Sequence, residues 1–457
     1  MIVMKFGGTS VEDSPAIERV AEIVRQRLDL QPAIVISAMG KTTRNLLTAA
    51  RFSAAGKSQD AIAQLDEIHR YHFALAKAVV PNWESSATWR KLTGYFEELR
   101  KLFEGLAILC ELTLRSQDKI LSYGELMSTA IVAEAFQQHG IDAALLDARE
   151  FIITDERFTR AAPIAAITYQ KINEHVRPVI AAGRVPIIQG YIGATREGAT
   201  TTLGFEGSDY TAALLGAALE VDDIQIWKDV SGLMTADPAI YSSARTVKTV
   251  SFAEAAELTF FGAKVLHPGA IAPAREKGIP VHIYNSKKPE ATGTAITASA
   301  MSGANLIKSI AYKRSLCILN ILSNRSFSAC DFLKSVFDIL DRERLTPYMM
   351  STAEASAAIA LSAAENLEFL IEDLSHFGEV RLFNQKATIS LVGENLRTAR
   401  DVATTVFQSL HGMPIDMISQ GASPINFSFA MDEANVPEVI SRLHQVFFRE
   451  VDANVFE

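Results

Sequence analysis

The chain has 457 residues, enough for two or three domains with substantial cores. It is 48% hydrophobic and 21% charged, with a net charge of −9 and no run rich in Lys or Arg, which argues against a nucleic-acid partner. No stretch approaches about 18 uninterrupted apolar residues, and the amino terminus reads as a strand rather than a signal peptide, so no membrane partner is expected. Cys110, Cys317 and Cys330 have neither metal-ligand spacing nor a nearby His, which fits reduced thiols in a cytoplasmic protein.

Residues 1–295 alternate strand and helix. Strands are expected at Ile2–Phe6, Ala33–Ser37, Ala143–Asp147, Pro186–Gln189, Ile224–Lys228 and Pro280–Tyr284. Ser14-Pro15 marks a helix start, with proline suited to the first turn. From about 59 to 115 the chain is strand-free, with apolar residues at helical spacing and a break at Pro81. It reads as an insertion of at least two helices that helps cover a cleft, with His69 and His72 as ordinary helix-face residues. Past Gly293-Thr294 the pattern changes. A strand at Leu316–Leu322 precedes a helix face of Phe332, Leu333, Val336, Phe337 and Leu340. Strands near 346–350 and 357–361, a helix at 365–376 and a strand at 379–383 follow. The order then repeats: strand Ala387–Val392, helix Leu396–Leu410, strands Ile415–Ser419 and Ile425–Ala430, helix Val436–Phe447. This β-α-β-β-α pattern, met twice, is the ferredoxin-like arrangement. The expected domains are 1–295, 305–384 and 385–457.

Several strands of the first part end in loops of glycines, hydroxyls and one charge. Lys5 runs into Gly7-Gly8-Thr9-Ser10; Ser37, Gly40 and two threonines follow the second strand; Lys228-Asp229 follow a third. Gly204, Gly207, Ser208 and Asp209 precede an apolar helix. Ligands of open α/β sheets bind at the carboxyl ends of the strands, and such loops bring backbone N–H groups to anionic oxygens. No GxxxxGK[ST] is present, so a phosphate site of another design is implied. Each loop also has a plainer reading: a glycine turn before a helix, a solvated lysine at a strand end, or Asp209 as a helix cap.

Taken together, KFGGTSV, SAMGKTT, SYGELMST, TTTLGxxGSD, KDVxGLMTADP and GAKVLHPGAI resemble, in order and spacing, the aspartate kinases of the amino-acid-kinase superfamily. The resemblance implies an α/β fold: an α/β/α sandwich followed by two α+β ACT domains that bind an effector amino acid and join a homodimer. It implies transfer of the γ-phosphoryl of MgATP to the β-carboxylate of L-aspartate, a first step toward lysine, threonine and methionine. Lys5 would meet the transferring phosphoryl, and Asp209 would orient Lys5 and the substrate. Thr43, Glu125 and Ser208 would bind substrate, Glu125 through its α-ammonium. Gly7, Gly8, Ser37, Lys228, Asp229 and Lys264 would face the nucleotide. Mg²⁺ would be held mainly by ATP oxygens, since no carboxylate cage is evident.

Some positions depart from the family. Phe205 and Glu206 stand in a loop that commonly reads Gly-Arg-Gly-Gly-Ser-Asp, whose arginine grips a substrate carboxylate. Losing one charge-assisted hydrogen bond is worth roughly 1.5–3 kcal/mol. Lys41, Lys228 and Arg149 are candidate replacements. Lys228 stands for a usual threonine, Met234 for an aromatic, Ala239 for a basic residue, and Tyr348 for an aspartate that helps hold an effector. Two rival readings remain at this point: a kinase of the same superfamily acting on another small carboxylate, and a catalytically weak regulatory subunit.

Overall fold

The computed structural model describes residues 1–204, 206–262, 266–299, 305–323, 329–363 and 367–457. It divides into two units, Met1–Gly232 with Leu266–Ala298, and Leu233–Val265 with Ser299–Glu457.

The first unit is built on a sheet whose strands run in the order Ala143–Leu146, Val185–Gln189, Pro32–Ile36, Ile2–Phe6, Asp223–Lys228, Val281–Asn285, Thr294–Thr297. All neighbours are parallel except the last pair. Ile2–Phe6 and Pro32–Ile36 are buried at every position, which explains their continuous apolar runs: helices cover both faces of a parallel sheet. The register sets Lys5 level with Val35 and Ile226. Helix Ser14–Arg25 is capped by Asp13, which accepts the Ala16 N–H at 2.8 Å, with Pro15 in its first turn. The helical stretch resolves into Ser58–Val79, Ala87–Leu109 and Leu114–Gln138, broken around Pro81 as expected. His72 is fully buried, and burial lowers its pKa to about 4, so it is a neutral core residue bonded to Ile68 O at 2.8 Å. Leu114–Gln138 is buried nearly all round from Ile120 to Ala133, as a helix in mid-protein must be. Three short strands, Ile153–Thr154, Ile192–Thr195 and Thr200–Thr202, form a separate small sheet that the sequence pattern did not announce.

The second unit centres on a six-stranded antiparallel sheet in the order Met349–Ala353, Ser356–Ser362, Ile307–Ser323, Gly378–Gly393, Asn426–Asp432, Met417–Gln420. Helices Ala329–Arg342 and Leu367–Ser375 close one apolar core, with Phe332, Val336, Leu370 and Leu374 against Cys317, Leu319 and Ile359. The repeat is therefore present, with two differences from its expected form. The strands expected at 379–383 and 387–392 are one strand, Gly378–Gly393, turned at Gln385 (φ 55°). It pairs with Ile307–Ser323, turned at Ser315 (φ 59°), along nearly its whole length. The expected boundary at 385 thus falls inside a strand. The described part of Leu233–Val265 groups by contacts with the second unit. Ile310 N–H donates to Thr235 O at 2.8 Å, Ser309 Oγ to Met234 O at 2.6 Å, and the buried Lys308 ammonium lies 3.2 Å from Glu254.

Candidate functional site

The carboxyl ends of Pro32–Ile36, Ile2–Phe6 and Asp223–Lys228 carry three interlocked loops. Gly7 N–H donates to Trp227 O at 3.1 Å, Ser37 N–H to Phe6 O at 3.2 Å, and Gly40 N–H to Gly8 O at 3.1 Å. A Cβ on Gly8 would stand 2.5 Å from Ala38 O, so only glycine allows the first two loops to close on each other. Ser37 is half-buried, and its carbonyl accepts from Ser128 Oγ at 2.7 Å.

Into this cradle points Lys5, only 6% exposed, with Nζ 2.5 Å from Asp209 Oδ1. Asp209 lies in the first turn of the buried helix Gly207–Leu219, and its other oxygen is 2.8 Å from Lys228 Nζ. Burial alone would push the Asp209 carboxyl up, but the charges of Lys5 and Lys228 outweigh it and hold it below the usual range. Burial opposes the charge on Lys228 as well, and Asp209 and Glu206 overcome it and raise its pKa. Asp209 is therefore the shared counter-ion of the buried Lys5 and the half-buried Lys228, not a cap. Glu206 Oε1 stands 3.7 Å from Lys228, and its Oε2 accepts the His267 N–H. Glu206 adopts φ 54°, ψ 28°, a left-handed conformation that costs a non-glycine residue about 1–2 kcal/mol.

Glu125 approaches from Leu114–Gln138 and is 3% exposed. Its Oε1 accepts the Ala38 N–H at 3.2 Å, while Oε2 is buried without a hydrogen-bond partner. Burial pushes its carboxyl up to about 8, against the opposing pull of Lys5. Thr43, half-buried, lies beside the same helix: its Oγ1 would be 3.5 Å from a Cβ placed on Gly124. Ser208 is buried against Gly190, where a Cβ would come within 2.5 Å of the serine Cβ. Asp229 is exposed, just past the end of its strand. Lys264 and Phe205 lie outside the described residues.

The structure thus brings together Lys5, Gly7, Gly8, Ser37, Asp209, Lys228 and Glu125. Of the three candidate replacements for the missing arginine, Arg149 is locked in a forked pair with Asp147 (2.6–3.2 Å), and Lys41 is exposed at the start of helix Thr42–Ala54. Two positioning residues have no signature in the sequence. Asp118, fully buried, accepts from Thr159 N–H, Thr202 N–H and Thr202 Oγ1 at 2.7–2.9 Å, pinning the strand that leads to Gly204. Gln189 donates to Thr129 Oγ1 and accepts the Ala148 N–H, both at 2.8 Å. Gln189 ends an apolar run and Asp118 sits among the polar residues Arg115–Lys119, and only the fold reveals their partners.

A parallel sheet with phosphate-type glycine loops and a lysine–aspartate–lysine cluster at its carboxyl edge describes a small-molecule kinase, and the chain belongs to the amino acid kinase family, which it matches over residues 1–285. Residues 389–447 match the ACT domain. Within that family its relatives are aspartokinases, ATP-dependent kinases that phosphorylate aspartate. It is 38% identical over 467 residues to the chloroplastic aspartokinase 1 of Arabidopsis thaliana, covering 98% of this chain and 80% of that one. To the lysine-sensitive aspartokinase 3 of Escherichia coli it is 34% identical, over 98% and 99% of the two chains. The crystal structure of E. coli aspartokinase III with aspartate and ADP superposes with a TM-score of 0.85 at 33% identity, covering 98% of this chain and all of the other.

Proposed function

We propose that the Lys5–Asp209 centre carries out the aspartokinase reaction, transfer of the γ-phosphoryl of ATP to the β-carboxylate of L-aspartate. In that reaction a β-carboxylate oxygen bonds to the γ-phosphorus, the bond from that phosphorus to the bridging β,γ-oxygen breaks, and ADP leaves with the electron pair. Such a transfer asks the protein mainly for position and charge. Lys5 neutralises charge gathering on the moving phosphoryl, and Asp209 holds that ammonium in place. Gly7, Gly8 and Ser37 offer donors to phosphate oxygens, Asp229 flanks the nucleotide, and Lys264 is assigned there by motif. Glu125 receives the substrate α-ammonium, and Thr43 and Ser208 offer hydroxyls to the amino acid. The observation that carries this reading is the unpartnered Glu125 Oε2, a buried acceptor close enough to Lys5 to feel its charge.

The residues present fit a metal delivered by the nucleotide. Among the described residues no group of three or more His, Cys, Asp or Glu could hold one, and both Asp209 oxygens are taken by lysines. Bound to ATP oxygens, Mg²⁺ would supply charge neutralisation at the phosphates.

The ACT-type unit gives the enzyme an amino-acid effector site and a homodimer contact in this reading. Lysine is supported as the effector by the name of the E. coli relative. Against lysine stands Tyr348 at the usual aspartate position, with the Lys313 ammonium 3.9 Å above its ring. Three free cysteines, Cys317 of them buried, suit a cytoplasmic setting, and no helix among the described residues is long and apolar enough to cross a membrane.

The test is ATP-dependent formation of an acyl phosphate from L-aspartate, trapped as the hydroxamate. Wild type should turn over saturably, and Lys5→Ala should lose at least about a hundredfold in kcat. Equal activity in the two would remove Lys5 from the reaction.

A further inference from the structure

We infer that Lys228 is the cation that grips the carboxylate of the amino-acid substrate, and that Glu206 occupies its place until substrate arrives. The inference deepens the kinase reading and rests on it.

The two residues face each other: Glu206 directly precedes the helix Gly207–Leu219, and Lys228 ends the strand Asp223–Lys228. Lys228 Nζ reaches Asp209 Oδ2 at 2.8 Å but Glu206 Oε1 only at 3.7 Å. The first contact is a tight ion pair whose partner is 1% exposed. The second is longer, and both its side chains are 17% exposed. The Glu206 side of Lys228 is thus the side a ligand can reach and exchange. Arg149 is held by Asp147 and so does not compete for the role.

Charge counting agrees. Lys5 and Lys228 contribute two positive charges, Asp209 and Glu206 two negative ones. Among the described residues Asp209 and Glu206 are the carboxylates beside Lys228, so moving Glu206 aside opens a place that one substrate carboxylate can take. Glu206 is held by the His267 N–H and by its left-handed backbone, which keep its carboxylate near the lysine. A non-glycine residue kept in that conformation at a functional site marks a conformational cost tied to what its side chain does.

The test titrates L-aspartate calorimetrically into the full chain saturated with a non-hydrolysable ATP analogue and Mg²⁺, for wild type, Glu206→Gln, Lys228→Met, Lys228→Arg and the Glu206→Gln/Lys228→Met pair. Glu206→Gln should tighten aspartate binding about threefold to tenfold by removing the internal competitor. Lys228→Met should weaken it by about tenfold to a hundredfold, the loss of one charge-assisted contact. Lys228→Arg should restore most of it, which guards against a mere folding defect. In the Lys228→Met background, Glu206→Gln should gain nothing. Hydroxamate kinetics should place these changes on KM for aspartate and leave KM for ATP within about twofold. Aspartate affinity unchanged in Lys228→Met, or weakened by Glu206→Gln, overturns the inference while leaving the kinase reading standing. A wild-type chain that binds no aspartate overturns both.

Discussion

Burial holds the Glu125 carboxyl protonated up to about pH 8, and this makes the residue a visible reporter in solution. The folded state keeps a proton there that the unfolded chain, with a carboxyl near 4.5, gives up. The stabilisation is therefore complete below the unfolded value and is lost as pH rises through about 8. In Glu125→Gln the denaturant midpoint of the ligand-free protein should fall less steeply over that window than in wild type. An unchanged slope would mean the carboxyl ionises normally. If Glu125 receives the substrate ammonium, binding must also expel its proton, and calorimetry near pH 7 in buffers of different ionisation enthalpy should show the release. At this scale the sequence was legible where motif and chemistry coincide. Lys5 before two glycines, Asp209 at a helix start and Glu125 among apolar neighbours all reach the site. The Lys228–Glu206 contact was not legible, because the two residues lie on separate elements and no periodicity relates a strand end to a loop.

Among the elements, glycines discriminate packing from propensity. Gly216 lies on the helix Gly207–Leu219 in a spot where a Cβ would be inside the Ile224 side chain, whereas Gly94 in Ala87–Leu109 has nothing within 4 Å. Gly216→Ala should lower stability by about 1–3 kcal/mol through overpacking. Gly94→Ala should raise it by about 0.5–1 kcal/mol through helix propensity. Chemical denaturation of the two variants checks the contrast, and a shared sign would overturn the packing argument. Buried parallel strands were readable because both faces are apolar, so each appears as one unbroken run. The strand half Ile307–Lys313 was missed because its polar residues face inward: Lys308 and Ser309 are buried against Glu254 and Met234 O, which erases the alternation a strand should show. The helix expected from Leu396 starts only at Val402, since the apolar Leu396 is buried within a turn.

On the scale of the molecule, the sheet of the second unit binds its two βαββα repeats through shared strands. Ile307–Lys313, at the start of this sheet, pairs with Thr388–Gly393 of the second repeat, while Ile318–Ser323 pairs with Gly378–Phe383 of the first. A chain truncated after 384 would leave Ile307–Lys313 without its partner and strip the apolar face that Ile389 and Leu391 cover. Such a chain should bind a hydrophobic dye and be cleaved early by protease within 305–323. A soluble, protease-resistant fragment would show that the first repeat folds alone. The repeat itself was visible in the sequence, but its joining was not, because a turn at Gln385 in the left-handed region looks the same whether the strand stops there or continues.

That shared strand also bears on how such a protein can be remade by inheritance. A crossover between related genes that fell between the repeats would give each descendant half of two mismatched sheets. Sensitivity to an effector could then pass from one lineage to another only as an indivisible cassette, running from the start of Ile307–Ser323 to the end of the last helix.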